Sequence, residues 1–305
     1  MIPPCPAATF ARARGQHHPT SGRDSKTVSQ YASYDRLAGH YDTTRSAISA
    51  EIWLGQLLAG CAGLDRLQIL DAGCGTGNYT LALAPHVARV TGIDMNARML
   101  AEAGRKAEAS ALADKVSFRR GELPDLPFAD ASFDAVMFNQ VLHHLEPPGT
   151  QDFARHARAI AEAARVLRPG GLVLINACSP RQVREAFWYY ALIPEACRQV
   201  CARMIGTDTL KAALHAAGFA EISRTVPLEA LLQGPAGLDP HGPLDPAWRA
   251  GDSGWVLASE AELSAALARI EEMDRAGTLA EFVAEHDRPR HDIGQTTFWC
   301  AVKAG

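Results

Sequence analysis

Asp71 ends an apolar run, Leu67-Gln-Ile-Leu-Asp71, and three glycines follow at alternate positions, Gly73, Gly75 and Gly77. A second apolar run, Arg89-Val-Thr-Gly-Ile-Asp94, closes on another carboxylate. Glycines at that spacing let the main chain turn sharply and let a ligand lie against bare backbone. A dinucleotide pyrophosphate favours a G-x-G-x-x-G loop, whose third glycine allows close helix packing and turns the helix N-terminus toward the phosphates. Here the third glycine arrives one residue early, and Asn78 stands where the later one belongs. Asp71 would repel a pyrophosphate but would neutralise an ammonium. Asp94, 17 residues beyond Gly77, can accept both hydroxyls of a ribose, because a carboxylate offers two acceptor oxygens. The pattern calls for a ligand with an amino group and a ribose but no phosphate.

S-adenosylmethionine meets that description. At these residues the chain resembles the class I S-adenosylmethionine-dependent methyltransferases, in the small-molecule group that includes the ubiquinone and menaquinone biosynthesis enzymes. Four further stretches carry the resemblance. Gly121-Glu122, followed by Leu126-Pro127-Phe128, is similar to the third-strand element whose acidic residue reaches the adenine amino group. Ser132-Phe133-Asp134 through Asn139-Gln140-Val-Leu-His143-His144-Leu145 is similar to the fourth strand and its turn. Arg165-Val-Leu-Arg-Pro169-Gly170-Gly171-Leu resembles the junction of a helix with the fifth strand. Tyr34 to Asp42 resembles an N-terminal helix that closes over the cofactor. The resemblance runs from about residue 34 to 226, with the final strand added. It implies a cofactor site of Asp71, Gly73, Gly75, Gly77, Asp94, Met95, Glu122, Leu123, Asn139 and Tyr41, with Tyr41 and Arg45 closing the pocket from the N-terminal side; the alternative for these two is a surface helix. It also implies a fold: an α/β, Rossmann-like, doubly wound sheet of seven mostly parallel strands, the last antiparallel, with helical insertions.

A sulfonium methyl is already an activated electrophile, so such a site must chiefly align an acceptor lone pair and exclude water. A phenol, enol or carbon acid would gain from a general base. His143 and His144 follow the fourth strand and are the candidates, with a near-neutral pKa suited to the task. Adjacent helical positions diverge, so only one of the two is expected to face the site. The alternative is that both are ordinary helix residues. Asn139-Gln140-Val141 lacks the two prolines that amino-methylating DNA enzymes carry at this turn. Trp188, Tyr189 and Tyr190 could stack on a planar acceptor or serve as core. Cys178, Cys197 and Cys201 offer thiolates for a metalloid acceptor such as arsenite. Cys197, Val200, Cys201 and Met204 also form a continuous apolar stripe, which favours plain packing. Cys74 sits in the glycine loop as a small residue rather than a nucleophile. No metal-ligand spacing is present.

Apolar runs alternating with helical stretches predict strands at Gln68–Asp71, Arg89–Asp94, Val116–Arg120, Ala135–Asn139, Leu172–Ala177, Glu221–Val226 and Thr296–Val302. Arg168-Pro169-Gly170-Gly171 stops the helix before the fifth strand. Asp208 or Thr209 is expected to cap a helix over Leu210–Ala217, with Gly218 ending it. Residues 31–226 plus 295–305 form the expected methyltransferase domain. Between the last two strands, where the family usually has a short hairpin, residues 227–294 intervene. Pro235, Pro240, Pro243 and Pro246 make its first half irregular. Its second half reads as helix, opening on a capping box, Ser259-Glu-Ala-Glu262, with Leu263, Leu267 and Ile270 at helical spacing. This insertion and Arg181–Met204 both follow strand ends where a methyl group would be presented. They are expected to build an acceptor lid, the alternative being an appendage for stability or dimerisation.

The chain has 305 residues, 47% hydrophobic, and a formal charge of −4 with mixed signs. That balance excludes a broad nucleic-acid surface, and no apolar run is long enough to span a bilayer. Seven scattered cysteines without a CxxC pair suggest free thiols in a reducing cytoplasm. Residues 1–30, rich in Pro, Ser, Thr and Arg, read as a disordered tail. An organellar transit peptide is the alternative there, opposed by the lack of an amphipathic stripe. The expected partner is a small-molecule acceptor, planar or partly aromatic, with monomer and homodimer both open. Against a methyltransferase stand two other classes. A nicotinamide oxidoreductase is opposed by the early third glycine and Asp71. A non-catalytic S-adenosylmethionine binder is open because a cofactor site does not guarantee turnover.

Overall fold

The computed structural model describes residues 47–61, 63–146 and 152–305. The expected tail (1–30), the Tyr34–Asp42 segment, Tyr41 and Arg45 lie outside the described residues. Seven strands, β1 (Gln68–Ala72), β2 (Arg89–Asp94), β3 (Val116–Arg120), β4 (Phe133–Asn139), β5 (Leu167–Ala177), β6 (Phe219–Thr225) and β7 (Thr297–Lys303), make one sheet in the order β3-β2-β1-β4-β5-β7-β6. β7 runs antiparallel to both its neighbours, and the other pairings are parallel. The order reverses between β1 and β4, which opens a crevice at the carboxyl ends of those strands, the usual ligand position in a doubly wound sheet.

The central strands are apolar on both faces because helices cover both. Side chains alternate across the sheet. Leu70, Val136, Phe138, Ile175 and Trp299 pack on one side with α4 (Ala154–Val166) and α7 (Thr207–Ala216). Ile69, Met137, Leu174 and Phe298 pack on the other with Trp53 and Leu57 of α1 (Ala50–Gly60) and Leu83 of α2 (Asn78–Leu83). α3 (Ala97–Ala109) follows β2, and the Asn96 side chain accepts the N–H groups of Arg98 and Met99 at its start. Arg165 on α4 donates to the carbonyls of Leu126 (2.9 Å) and Phe128 (2.8 Å), which fixes the loop after β3.

Three local expectations need correction. The helix expected from Leu210 begins at Thr207, and its N-cap is Gly206 without a side-chain cap, so neither Asp208 nor Thr209 caps it. The expected strand Glu221–Val226 starts at Phe219 and carries a bulge between Ala220 and Ser223, with Glu221 at φ 49°. The capping box at Ser259 is only half formed. Ser259 accepts the Glu262 N–H at 3.2 Å, but the Glu262 carboxylate turns away to accept the N–H groups of Glu195 (2.7 Å) and Ala196 (3.4 Å) at the start of α6 (Pro194–Cys201). One glutamate thus ties the segment between β6 and β7 to the segment after β5.

Those two segments share a second core. After β5 come α5 (Pro180–Glu185), a 3₁₀ turn Trp188–Ala191 and α6. Between β6 and β7 come two proline-opened 3₁₀ turns and then α8 (Pro246–Ala250), α9 (Ser253–Leu257), α10 (Glu260–Ala276), α11 (Leu279–Asp287) and α12 (Arg290–Ile293). Trp188, Tyr189, Ile193, Trp255, Ile270 and Phe282 are buried together where they meet. Two buried glutamines tie the two segments together, and Gln182 also accepts the Thr297 hydroxyl of β7 at 3.3 Å. Gln182 donates to the Ile293 carbonyl (3.0 Å) and Gln295 to the Ala186 carbonyl (3.1 Å).

Candidate cofactor and acceptor site

The glycine loop leaves β1 at Asp71 and enters α2. Gly73, Gly75 and Gly77 have φ of 81°, 53° and 76°, the left-handed region that L side chains avoid. A Cβ on Gly73 would lie 2.4 Å from Val141 Cγ2, so the loop presses against the turn after β4. A Cβ on Gly75 would meet nothing within 4 Å, which leaves room for a ligand against the main chain. The Gly73 and Cys74 N–H groups donate to the Ile93 carbonyl at 2.8 and 3.0 Å, which ties the loop to β2.

The two carboxylates differ in environment. Asp71 is 1% exposed and accepts the Thr80 hydroxyl on Oδ2 at 2.6 Å. Its Oδ1 is buried with no partner among the described residues. Burial first, and then the charge of Asp94, push its pKa up to about 6, against the hydrogen bonds from Thr80. A buried carboxyl with one unsatisfied oxygen fits an ammonium group, whose positive charge would stabilise the ionised form. Asp94 accepts Gly75 N–H at 3.0 Å and Asn96 N–H at 2.8 Å. Each oxygen thus accepts one of these bonds and has acceptor capacity left over, as the pairing with ribose hydroxyls expected of Asp94 requires. Burial raises its pKa too, opposed by those backbone donors. Cys74 lies within the loop, its thiol raised well above the ordinary value by burial and by both aspartates. It is therefore a protonated packing residue, as its setting suggested.

The other residues assigned to the cofactor surround this pair. Met95 follows Asp94 and is 49% exposed. Gly121 N–H donates to the Asp94 carbonyl at 3.0 Å, which brings Glu122 and Leu123 beside the end of β2; Glu122 is exposed and Leu123 buried. Asn139 ends β4, and its Oδ1 accepts the Asn176 side-chain amide at 2.8 Å.

The turn after β4 is held by a network the sequence reading missed. Gln140 has φ 49°, a costly conformation for a residue with a Cβ. Its N–H donates to the Asn176 carbonyl at 2.8 Å, and its side-chain amide to Thr296 Oγ1 (2.8 Å) and Asn176 Oδ1 (3.1 Å). The Cys178 thiol donates to Gln140 Oε1 at 3.7 Å. Asn176 and Thr296 are each 1% exposed. An amide ending the apolar run Leu172-Val-Leu-Ile175 was the available signal. His143 and His144 lie in a 3₁₀ turn, Leu142–His144, both half-buried. Their rings pack together with centroids 4.0 Å apart, rather than diverging as an α-helix would place them.

Trp188, Tyr189 and Tyr190 are buried in the cap core, and so do not form an open acceptor surface. Trp188 Nε1 donates to the Gly237 carbonyl at 2.8 Å. The Tyr189 and Tyr190 hydroxyls donate to Asp252 at 2.8 and 3.4 Å, joined there by the Gln233 amide at 2.9 Å. The Cys197 and Cys201 sulfurs stand 4.0 Å apart, and the Cys201 thiol donates to the Pro180 carbonyl at 3.4 Å. Cys178 instead pairs with Gln140. Among the described residues no group of three or more His, Cys, Asp or Glu side chains could hold a metal ion, and no helix is long and apolar enough to cross a membrane.

A glycine loop between two carboxylates at the switch point of this sheet defines a nucleoside-cofactor protein of the methyltransferase type. Comparison with known proteins makes the assignment specific. A family model described as a methyltransferase domain matches residues 70–175. The chain is 33% identical over 162 residues to the ubiquinone/menaquinone biosynthesis C-methyltransferase of Paracoccus denitrificans, a match covering 52% of this chain and 62% of that protein. It is 33% identical over 170 residues to the demethylmenaquinone methyltransferase of Lactiplantibacillus plantarum, covering 52% of this chain and 68% of that protein. The match thus spans about two thirds of the length of these relatives. A crystal structure from Anabaena variabilis, described as a methyltransferase of an antibiotic biosynthesis pathway, shares the fold with a TM-score of 0.65 at 19% identity, over 83% of this chain and 95% of that one. The chain belongs to the class I S-adenosylmethionine-dependent methyltransferases.

Proposed function

We propose that this protein transfers the methyl group of S-adenosylmethionine to a small organic acceptor by in-line displacement, in the cytoplasm. The observation that carries the reading is the Asp71–Asp94 pair across the glycine loop. One buried carboxyl keeps an unsatisfied oxygen, and the other keeps acceptor capacity beside a glycine with open space. When bound, the cofactor supplies an electrophilic sulfonium methyl that needs no further activation. Asp71 holds the ammonium end, Asp94 orients the ribose, and Glu122 and Leu123 flank the adenine position. The turn Asn139-Gln140-Val141, locked by Asn176 and Thr296, sets the floor against which an acceptor lies. The segment 227–294, joined to Arg181–Met204 by a shared core, acts as the cap that excludes water. His143 or His144 takes the proton from an acceptor that must lose one.

The test is incubation of the full chain with methyl-labelled S-adenosylmethionine and a panel of phenols, amines and quinols. S-adenosylhomocysteine formed in proportion to a labelled product supports the reading. Cofactor binding with no turnover on any acceptor, in extracts as well as with pure compounds, would favour a non-catalytic binder.

A further inference from the structure

A cavity of about 610 Å³ opens beyond the ends of β5 and β6 and the start of β7, apart from the glycine loop. Its wall carries three guanidinium groups, Arg181, Arg184 and Arg224, against one carboxylate, Asp292. Arg181 and Arg184 share Glu185 at 2.9 and 2.8 Å. Arg224 is exposed and lies over the Trp299 ring, 5.9 Å from its centroid, with no carboxylate partner among the described residues. Thr207, the first residue of α7, lines the same space. That helix starts at Gly206 without a side-chain cap, and the first N–H groups of a helix have no intrahelical partner. Pro180, Val226 and Ile293 supply an apolar wall. A free guanidinium and a helix N-terminus beside apolar surface recognise an oxyanion carried on an apolar body.

The cavity also has a defined place relative to the reacting end of the site. Thr297 lines it and pairs with Ala177; the preceding β5 residue, Asn176, pairs with Asn139 at the end of β4. Two strand spacings separate Asn139 from Thr297, and a third reaches the β6 residues around Arg224, so the lateral distance is about 10–14 Å. We infer that this cleft binds the anionic group, a phosphate or a carboxylate, of an elongated acceptor whose apolar part reaches back toward Asn139. The inference rests on the methyltransferase reading only for that last clause. Anion binding itself is read separately.

The experiment is calorimetric titration of the full chain with phenyl phosphate, benzoate and phenol, in low salt, with S-adenosylmethionine titrated separately. Wild type is compared with Arg224→Met, Thr207→Val and, as a control on the cap surface, Arg275→Gln. Saturable binding of phenyl phosphate is expected, with phenol silent. Arg224→Met should weaken it at least about tenfold by removing a charged hydrogen-bond donor, Thr207→Val by less, and Arg275→Gln should leave it unchanged. S-adenosylmethionine affinity should be the same in all four proteins. Tighter binding of benzoate with the same Arg224 dependence would assign the anion as a carboxylate. Absence of saturable anion binding, equal binding of phenol, or anion affinity unchanged in both Arg224→Met and Thr207→Val would overturn the inference. A chain that binds S-adenosylmethionine but no anion keeps the methyltransferase reading and loses this one. A chain that binds the anion through Arg224 but not S-adenosylmethionine does the reverse.

Discussion

The Thr80 hydroxyl donates to Asp71 Oδ2 at 2.6 Å, across the loop from the end of β1 to the first turn of α2. This bond closes the glycine loop from behind. It occupies the oxygen of Asp71 that faces the helix and leaves Oδ1 buried without a partner among the described residues. In the proposed cofactor site the two oxygens of this buried carboxyl have different tasks.

That environment makes binding depend on pH. The Asp71 pKa is raised to about 6, so the folded chain holds a proton there at pH values where the unfolded chain does not. A carboxyl raised on folding contributes stability that is lost as pH rises from its ordinary value near 3.8 toward about 6. An ammonium ligand has the opposite preference, because it needs the ionised form. S-adenosylmethionine affinity should therefore rise as pH increases from 5 to 7, and Asp71→Asn should both weaken binding and flatten that rise. Calorimetry across this range checks both.

Asp94 supports the loop in addition to its proposed role at the ribose. Asp94→Ala removes acceptors for Gly75 N–H and Asn96 N–H together with the ribose contacts. The expected loss in S-adenosylmethionine affinity is roughly 1–3 kcal/mol, the range for charged hydrogen bonds. Asp94→Asn should lie between, since its amide keeps one acceptor oxygen. Titration of the two variants gives the ranking.

Gly73→Ala places a Cβ 2.4 Å from Val141 Cγ2 on a backbone with φ 81°. Backbone strain and overpacking act together, each costing about 1–3 kcal/mol. Thermal unfolding should shift down by more than in Gly75→Ala, whose Cβ meets open space and which carries only the backbone strain of its φ of 53°, and cofactor binding should fall. A variant as stable as wild type and with full affinity would remove the close loop-to-turn contact from the account.

The cap hangs on Asp252. Its carboxylate accepts Tyr189, Tyr190, Gln233 and Gly254 donors in a buried setting. Asp252→Ala leaves those donors without an acceptor and should destabilise the protein by about 3 kcal/mol or more. Asp252→Asn should lose less. Urea unfolding measures the difference, and S-adenosylmethionine binding by the folded fraction should persist, because the cofactor loop lies outside this core.

The geometry of the glycine loop and its two carboxylates was legible because its demands are local. Positive φ at Gly73, Gly75 and Gly77 can only be met cheaply by glycine, and the carboxylates close two apolar runs within one βαβ unit. All seven strands were legible from their apolar runs, although β5 and β6 begin earlier than expected, at Leu167 and Phe219; the antiparallel direction of β7 was an implication of the family resemblance. The setting of the residues expected at the acceptor was not legible. The aromatic run Trp188-Tyr189-Tyr190 suits ring stacking and core packing equally, and what places it in the core is Asp252, more than 60 residues away. Glu262 has the right spacing to complete a capping box, yet the N-terminus of a neighbouring helix takes its carboxylate. Gln140 gives no sequence signal for a left-handed backbone. Only tertiary partners, Asn176 and Thr296, hold it there.

The most direct test of the central claim is calorimetric titration of the full chain with S-adenosylmethionine near pH 7.5, alongside Asp94→Ala. Saturable binding that weakens by roughly 1–3 kcal/mol in the variant is the predicted result. No binding by wild type, or equal affinity in the two proteins, would contradict the assignment of Asp71 and Asp94 to an S-adenosylmethionine site.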